Sequence, residues 1–170
     1  PGLFELLESS VDEVLRADPT VLAQIVQRSA AHKIELLRPD PYEVDLRRVL
    51  NLGHTFGHAL EVDVDHSELR HGEAVAFGMV VATRVALELG VCAPHEAARI
   101  LDLIDRYGLL PPVNPDALPA ALDRIDSIRL VRGGRLNFVL PTSTRSAKIY
   151  AELADGVLER AVDSVIESGW

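Results

Sequence analysis

A chain of 170 residues, 48% hydrophobic and 25% charged, is long enough for a sizeable core and ordinary for a globular protein. Its net charge of −9 excludes a general nucleic-acid binder, which needs surplus Lys and Arg to neutralise phosphate, but leaves room for a local basic pocket that holds a small anion. The single cysteine, Cys92, excludes an internal disulfide and a cysteine-rich zinc site, and fits a reducing compartment.

The N-terminus lacks the basic-then-apolar pattern of a signal peptide, so a cytoplasmic protein is expected. The chain opens on Pro1 without a methionine and reads as a piece of a longer protein. Leu3, Leu6, Leu7, Val11, Val14 and Leu15 form one helical stripe. Asp18 before Pro19 re-caps the chain, and Val21, Leu22, Ile25, Val26, Ile34 and Leu37 continue the helical period. Two prolines in "RPDPYE" (38–43) mark a turn. A third helix is predicted from about Glu43 to Glu61, then a polar connection over 62–70.

A fourth helix is predicted over 72–89, stopping at Gly90. Its apolar run carries Arg84 and Glu88 and suits a buried helix better than a membrane span. Pro94 to Tyr107 makes a fifth helix, ended by Gly108. The proline-rich stretch 109–122 reads as a loop and a short helix. "IRLVRGGRLNFVLP" (128–141) reads as a hairpin turning at Arg132-Gly133-Gly134, with "AKIYAEL" as a further strand and the last fifteen residues helical. The fold class is therefore mainly α: a single helical domain over 1–170 with a small β-hairpin near 128–150. No GxGxxG, P-loop or βαβ alternation marks a nucleotide-binding half within the chain.

The stretch "LNLGHTFGHALE" (50–61) carries the chemistry. If one helix spans it, Glu43, Arg47, Asn51, His54, His58 and Glu61, at spacings of four, four, three, four and three, fall on one line. Such spacing usually marks an apolar seam, and here the seam is polar. Val49, Leu50, Leu52, Phe56 and Leu60 fall elsewhere on the helix and can be buried. For Glu43, Arg47 and Glu61 the plain reading is a solvated face. The two histidines, set among Gly53, Gly57 and Phe56, are either satisfied core residues or a site. His71, in "LRHGEAV", tips that balance, because antiparallel helices joined over 62–70 bring it back towards His54. Imidazole is the commonest protein metal ligand, so two or three histidines with a carboxylate suit an open catalytic zinc site. His71 otherwise merely starts a helix beside Gly72. His32, His66 and His95 read as surface residues. Lys33 is by default solvent-exposed, but with Arg47 it suits an anionic or carboxylate-bearing substrate.

The stretches "HKIELLRPDPYEVDLRRVLNLGHTFGHALE" and "LRHGEAVAFGMVVATRVALELG" closely resemble the 3-dehydroquinate synthase family of sugar-phosphate cyclases, most clearly over residues 1–110. The resemblance implies the helical C-terminal domain of an NAD- and metal-dependent carbon–oxygen lyase of the shikimate pathway. Such an enzyme converts a seven-carbon keto-acid phosphate to 3-dehydroquinate and phosphate. It matches His54 and His71 to the histidine ligands of Zn2+ (or Co2+). It matches His58 to a histidine beside the substrate, Asn51 to a side chain near the phosphate, Lys33 and Arg47 to groups holding carboxylate and hydroxyls, and Glu43 to an acid next to them. Glu61 gains no role. A third ligand, a glutamate, and the NAD-binding domain are expected before Pro1, so no residue here is assigned to NAD and the isolated chain is expected to be inactive. The family's phosphate-holding Asp-Lys-Lys is replaced by "DRIDSIRLVRGG", where Arg129 is the nearest basic residue. The expected partners are an anionic sugar phosphate and a second copy in a homodimer, with no nucleic acid and no membrane. The alternatives are a related cyclase of secondary metabolism and a non-catalytic helical module.

Overall fold

A computed structural model describes residues 2–39, 46–61, 69–110, 117–131 and 136–168, without the side chains of 46–48 and 127–131. The chain divides into two compact units, Pro1–Leu50 and Asn51–Trp170.

The first unit holds α1 (Leu3–Ser9), α2 (Val11–Leu15) and α3 (Pro19–Leu37). The single stripe predicted over the first fifteen residues is broken at Ser10, whose φ of −127° leaves the helical region, so Leu6 and Val11 are buried from separate short helices. α3 begins where the sequence indicates. The Asp18 carboxylate accepts the backbone N–H groups of Thr20 at 2.9 Å and Val21 at 3.0 Å, and Pro19 takes the first-turn position. No residue of α3 is buried, and Val26 and Ile34 are exposed. A 3-10 helix, Leu46–Asn51, follows.

The second unit is built around α5 (His71–Glu88), which is apolar nearly all round: Ala74, Ala76, Phe77, Val80, Val81, Val85 and Ala86 are all buried. Against it pack α4 (His54–Glu61), α6 (Pro94–Arg106), α8 (Val157–Ser168) and the strand β1 (Phe138–Ser143). Burying a side chain such as Phe77 contributes about 1.5–3 kcal/mol. α7 (Ala117–Val131) packs on α4 and α8. No helix among the described residues is long and apolar enough to cross a membrane.

The hairpin lies later than predicted. Residues 128–131, read from sequence as its first arm, are the last turn of α7. Leu118, Ala121 and Ile125 are buried at helical spacing, and the helix they belong to runs on to Val131. Residues 132–135, the predicted turn, lie outside the described residues. The observed hairpin pairs β1 antiparallel with β2 (Ser146–Tyr150): Phe138 faces Tyr150, Leu140 faces Lys148, and the register shifts between Pro141 and Ser143.

The hairpin tip is tied to α6. Glu96 accepts the Thr144 N–H at 2.7 Å. That bond, with help from the Thr144 hydroxyl, Arg99 and His95, holds the Glu96 carboxyl below its ordinary range. A lowered folded-state value stabilises the protein above the unfolded glutamate pKa of about 4.3, and the benefit is lost as pH falls through the folded value. Glu96→Gln should therefore melt at a lower temperature than the wild type near neutral pH. The gap should close in acid below the ordinary glutamate range, and thermal unfolding across pH checks it.

Candidate metal centre

The third helix predicted from Glu43 to Glu61 is not continuous. Leu46–Asn51 is 3-10, the chain turns at Leu52–Gly53, and α4 starts only at His54. The break has a packing cause. Gly53 sits at φ +81°, and a Cβ there would run into the Val75 carbonyl and lie 2.8 Å from the Met79 backbone nitrogen. Of the expected buried set, Phe56 and Leu60 are buried, whereas Leu50 is exposed.

α4 and α5 cross with almost no space between backbones. A Cβ on Gly78 would collide with the Gly53 carbonyl oxygen, and it would lie 2.7 Å from the Gly53 carbonyl carbon and 2.9 Å from the Gly57 nitrogen. The Gly53 carbonyl is itself engaged, accepting the Gly57 N–H at 2.9 Å as the first turn of α4. α4 is held from other sides as well. The Thr55 hydroxyl donates to the Asn137 carbonyl at 3.1 Å, and the Arg124 guanidinium donates to the Ala59 carbonyl at 3.0 Å.

This close crossing gathers three imidazoles. His54 and His58 lie one turn apart on α4, and His71 is the first residue of α5. Their ring centroids are 5.4 Å (His54–His58), 5.5 Å (His54–His71) and 5.8 Å (His58–His71) apart. Two imidazoles bound to one tetrahedral ion at 2.0–2.1 Å place their centroids roughly 5.2 Å apart. The cluster therefore has nearly the dimensions of a metal site. His58 and His71 are exposed and His54 is half-buried, so the cluster opens to solvent.

The hydrogen bonds on the rings test the fit to a cation. His54 Nδ1 faces the Leu52 carbonyl at 3.3 Å, and His71 Nδ1 faces Glu61 Oε1 at 2.7 Å. A carbonyl and a carboxylate only accept, so Nδ1 of each ring carries a proton, and in the neutral ring Nε2 then holds the lone pair. That is the tautomer a zinc-binding histidine requires, with its second nitrogen donating to an oxygen. The donor set fits a divalent metal. His58, Glu61 and His71 also each offer a ligand atom, all within 4.8 Å of one another.

The remaining predicted residues are placed as follows. Asn51 ends the 3-10 helix, is exposed, and opens the second unit. Lys33 is exposed on α3 in the first unit. Arg47 lies in the 3-10 helix and Arg129 in the last turn of α7, both with side chains outside the described set. Glu43 and His66 lie outside the described residues altogether. His32 and His95 are exposed, as expected. Glu61, read from sequence as solvated, instead takes the His71 proton donor. The one signal for it was its position three residues after His58, immediately before the connection to His71. An apolar crevice lined by Phe56, Val81, Val85, Phe138, Leu140 and Leu158 includes none of the three histidines.

Residues 1–127 match the family described as 3-dehydroquinate synthase C-terminal. The chain belongs to that family. A 2-epi-valiolone synthase of Actinosynnema mirum is 40% identical over 169 residues, covering 95% of this chain and 44% of its own length. A 3-dehydroquinate synthase of Halorhodospira halophila is 39% identical over 170 residues, covering 99% of this chain and 47% of its own. The structure of 2-epi-5-epi-valiolone synthase from Streptomyces hygroscopicus subsp. jinggangensis 5008, with NAD+ and Zn2+ bound, superposes with a TM-score of 0.79 at 29% identity, over 98% of this chain and 46% of that one. The chain thus spans about half the length of the relatives it matches. Those relatives are sugar-phosphate cyclases, and the mainly helical fold with one small hairpin is the fold expected of the 3-dehydroquinate synthase C-terminal family.

Proposed function

We propose that this chain is the metal- and substrate-binding portion of a 3-dehydroquinate synthase, a cyclase that expels phosphate from a seven-carbon keto-acid phosphate. The observation that carries the reading is the meeting of His54, His58 and His71 at the α4–α5 crossing, with Nδ1 of both His54 and His71 turned to an accepting oxygen. In this reading His54 and His71 hold a divalent ion. When bound, the metal supplies Lewis-acid polarisation of the hydroxyl being oxidised, and NAD supplies reversible hydride transfer; no residue of this chain is assigned to NAD.

The chain's own residues do the positioning. His58, exposed beside the other two rings, moves a proton at the substrate. Asn51 lies near the phosphate, and Arg129 is assigned to the same group. Lys33, Arg47 and Glu43 keep their family roles towards carboxylate and hydroxyls. Holding one geometry through several steps is catalysis by orientation. The assembled protein is proposed to be a homodimer.

Kinship with 2-epi-valiolone synthases, together with Arg129 where the family carries Asp-Lys-Lys, favours one second reading: a cyclase of the same mechanism acting on a different seven-carbon sugar phosphate. The complete gene product, loaded with zinc and NAD, separates them. Release of inorganic phosphate from the keto-acid phosphate, faster than from other seven-carbon sugar phosphates, is the expected result. The reverse preference establishes the second reading, and folded, metal-loaded protein that releases none overturns both.

A further inference from the structure

Glu61 closes α4, and His71 opens α5. Their side chains meet at 2.7 Å, the shortest polar contact in the histidine cluster. The carboxylate is half-buried at 29% exposure, against 59% for the imidazole, so the acid is the more fixed partner. Two roles are open to such an acid: it binds the metal itself, or it holds the ring that does.

The distance favours the second. Two ligand atoms on one tetrahedral ion at 2.0–2.2 Å sit roughly 3.4 Å apart. Glu61 Oε1 and His71 Nδ1 lie well inside that separation, at ordinary charge-assisted hydrogen-bond length. These two atoms therefore share a proton and not an ion. The carboxylate fixes the proton on Nδ1, sets the ring's rotation, and raises the basicity of Nε2. His54 is served more weakly by the Leu52 carbonyl at 3.3 Å.

Resting on the metal reading above, we propose that Glu61 is a positioning residue for His71, the outer carboxylate of a carboxylate–histidine–metal relay, and a determinant of metal affinity. The test uses the complete protein with Co2+ as a spectroscopic probe, alongside circular dichroism as a check on folding. Wild type, Glu61→Ala, Glu61→Gln, His54→Ala and His71→Ala are titrated with the metal, with turnover left aside. Glu61→Ala should bind Co2+ about 10–100-fold more weakly while keeping the wild-type pattern of visible bands. Glu61→Gln, which retains an accepting oxygen, should recover part of that loss. If His71→Ala loses the metal but Glu61→Ala binds like wild type, the positioning role is overturned and the metal reading stands. If Glu61→Ala changes the Co2+ bands as His71→Ala does, Glu61 is a ligand and the proposal is likewise overturned. If both histidine variants bind Co2+ like wild type, the metal reading fails and takes this proposal with it.

Discussion

Gly78→Ala is expected to destabilise the second unit by about 1–3 kcal/mol, although intrinsic helix preference alone would favour alanine by about 0.8–1.0 kcal/mol. The sign is set by what the new methyl meets. A Cβ at this position runs into the Gly53 carbonyl and stands 2.9 Å from the Gly57 nitrogen, and both obstacles are backbone. A flexible side chain could swing aside, but a helix start cannot. α4 is moreover tied to Asn137 and Arg124, so moving it strains other contacts. Gly72 is the internal control: it lies on the same helix, and a Cβ there meets nothing within 4 Å. Gly72→Ala should be neutral or slightly stabilising. Urea unfolding of both variants checks the contrast, and equal stability of the two would mean that the glycine crossing is not the constraint described. Because α4 carries two of the three imidazoles, Gly78→Ala should also weaken Co2+ binding, whereas a purely local packing defect would leave it unchanged.

The same crossing marks the limit of what sequence periodicity reveals. α5 and α6 were readable to within a residue or two, because long apolar periods end at Gly90 and Gly108. The histidine spacing was readable because His54 and His58 are one turn apart on any helix. The break before His54 was not. Residues 43–61 keep a helical period in sequence, and only the approach of α5, which forces Gly53 to φ +81°, interrupts it. Tertiary contact overrode local pattern there. The displaced hairpin has a different origin. Ile128, Leu130 and Val131 form an apolar run too short to tell strand from helix by itself, and the deciding burial of Leu118, Ala121 and Ile125 lies upstream. Glu61 escaped for a third reason: its partner lies ten residues away across a helix-to-helix connection, and no periodicity encodes that contact.

Removal of the histidines one at a time should separate ligand from proton carrier. His54→Ala and His71→Ala each delete a ring whose Nδ1 is held by an oxygen and whose Nε2 is proposed to meet the ion. Each should weaken Co2+ or Zn2+ binding by more than the roughly 100-fold that accompanies loss of an outer hydrogen-bond partner. His58→Ala should behave differently. Its ring lies 5.4 Å from His54 and 5.8 Å from His71 by centroid, close enough to share the site. If it handles a substrate proton, phosphate release should drop by about 10²–10⁴-fold while metal affinity changes by no more than a few-fold. The geometry admits one competing assignment, since His58, Glu61 and His71 also bring ligand atoms within 4.8 Å of one another. In that assignment His58→Ala would lose the metal and His54→Ala would keep it. The Glu61 contact speaks against it, because Oε1 of that carboxylate already accepts from His71 Nδ1 at 2.7 Å. Metal titrations of the three alanine variants, read beside their rates of phosphate release, therefore decide which pair of rings shares the ion and which ring is left to move protons.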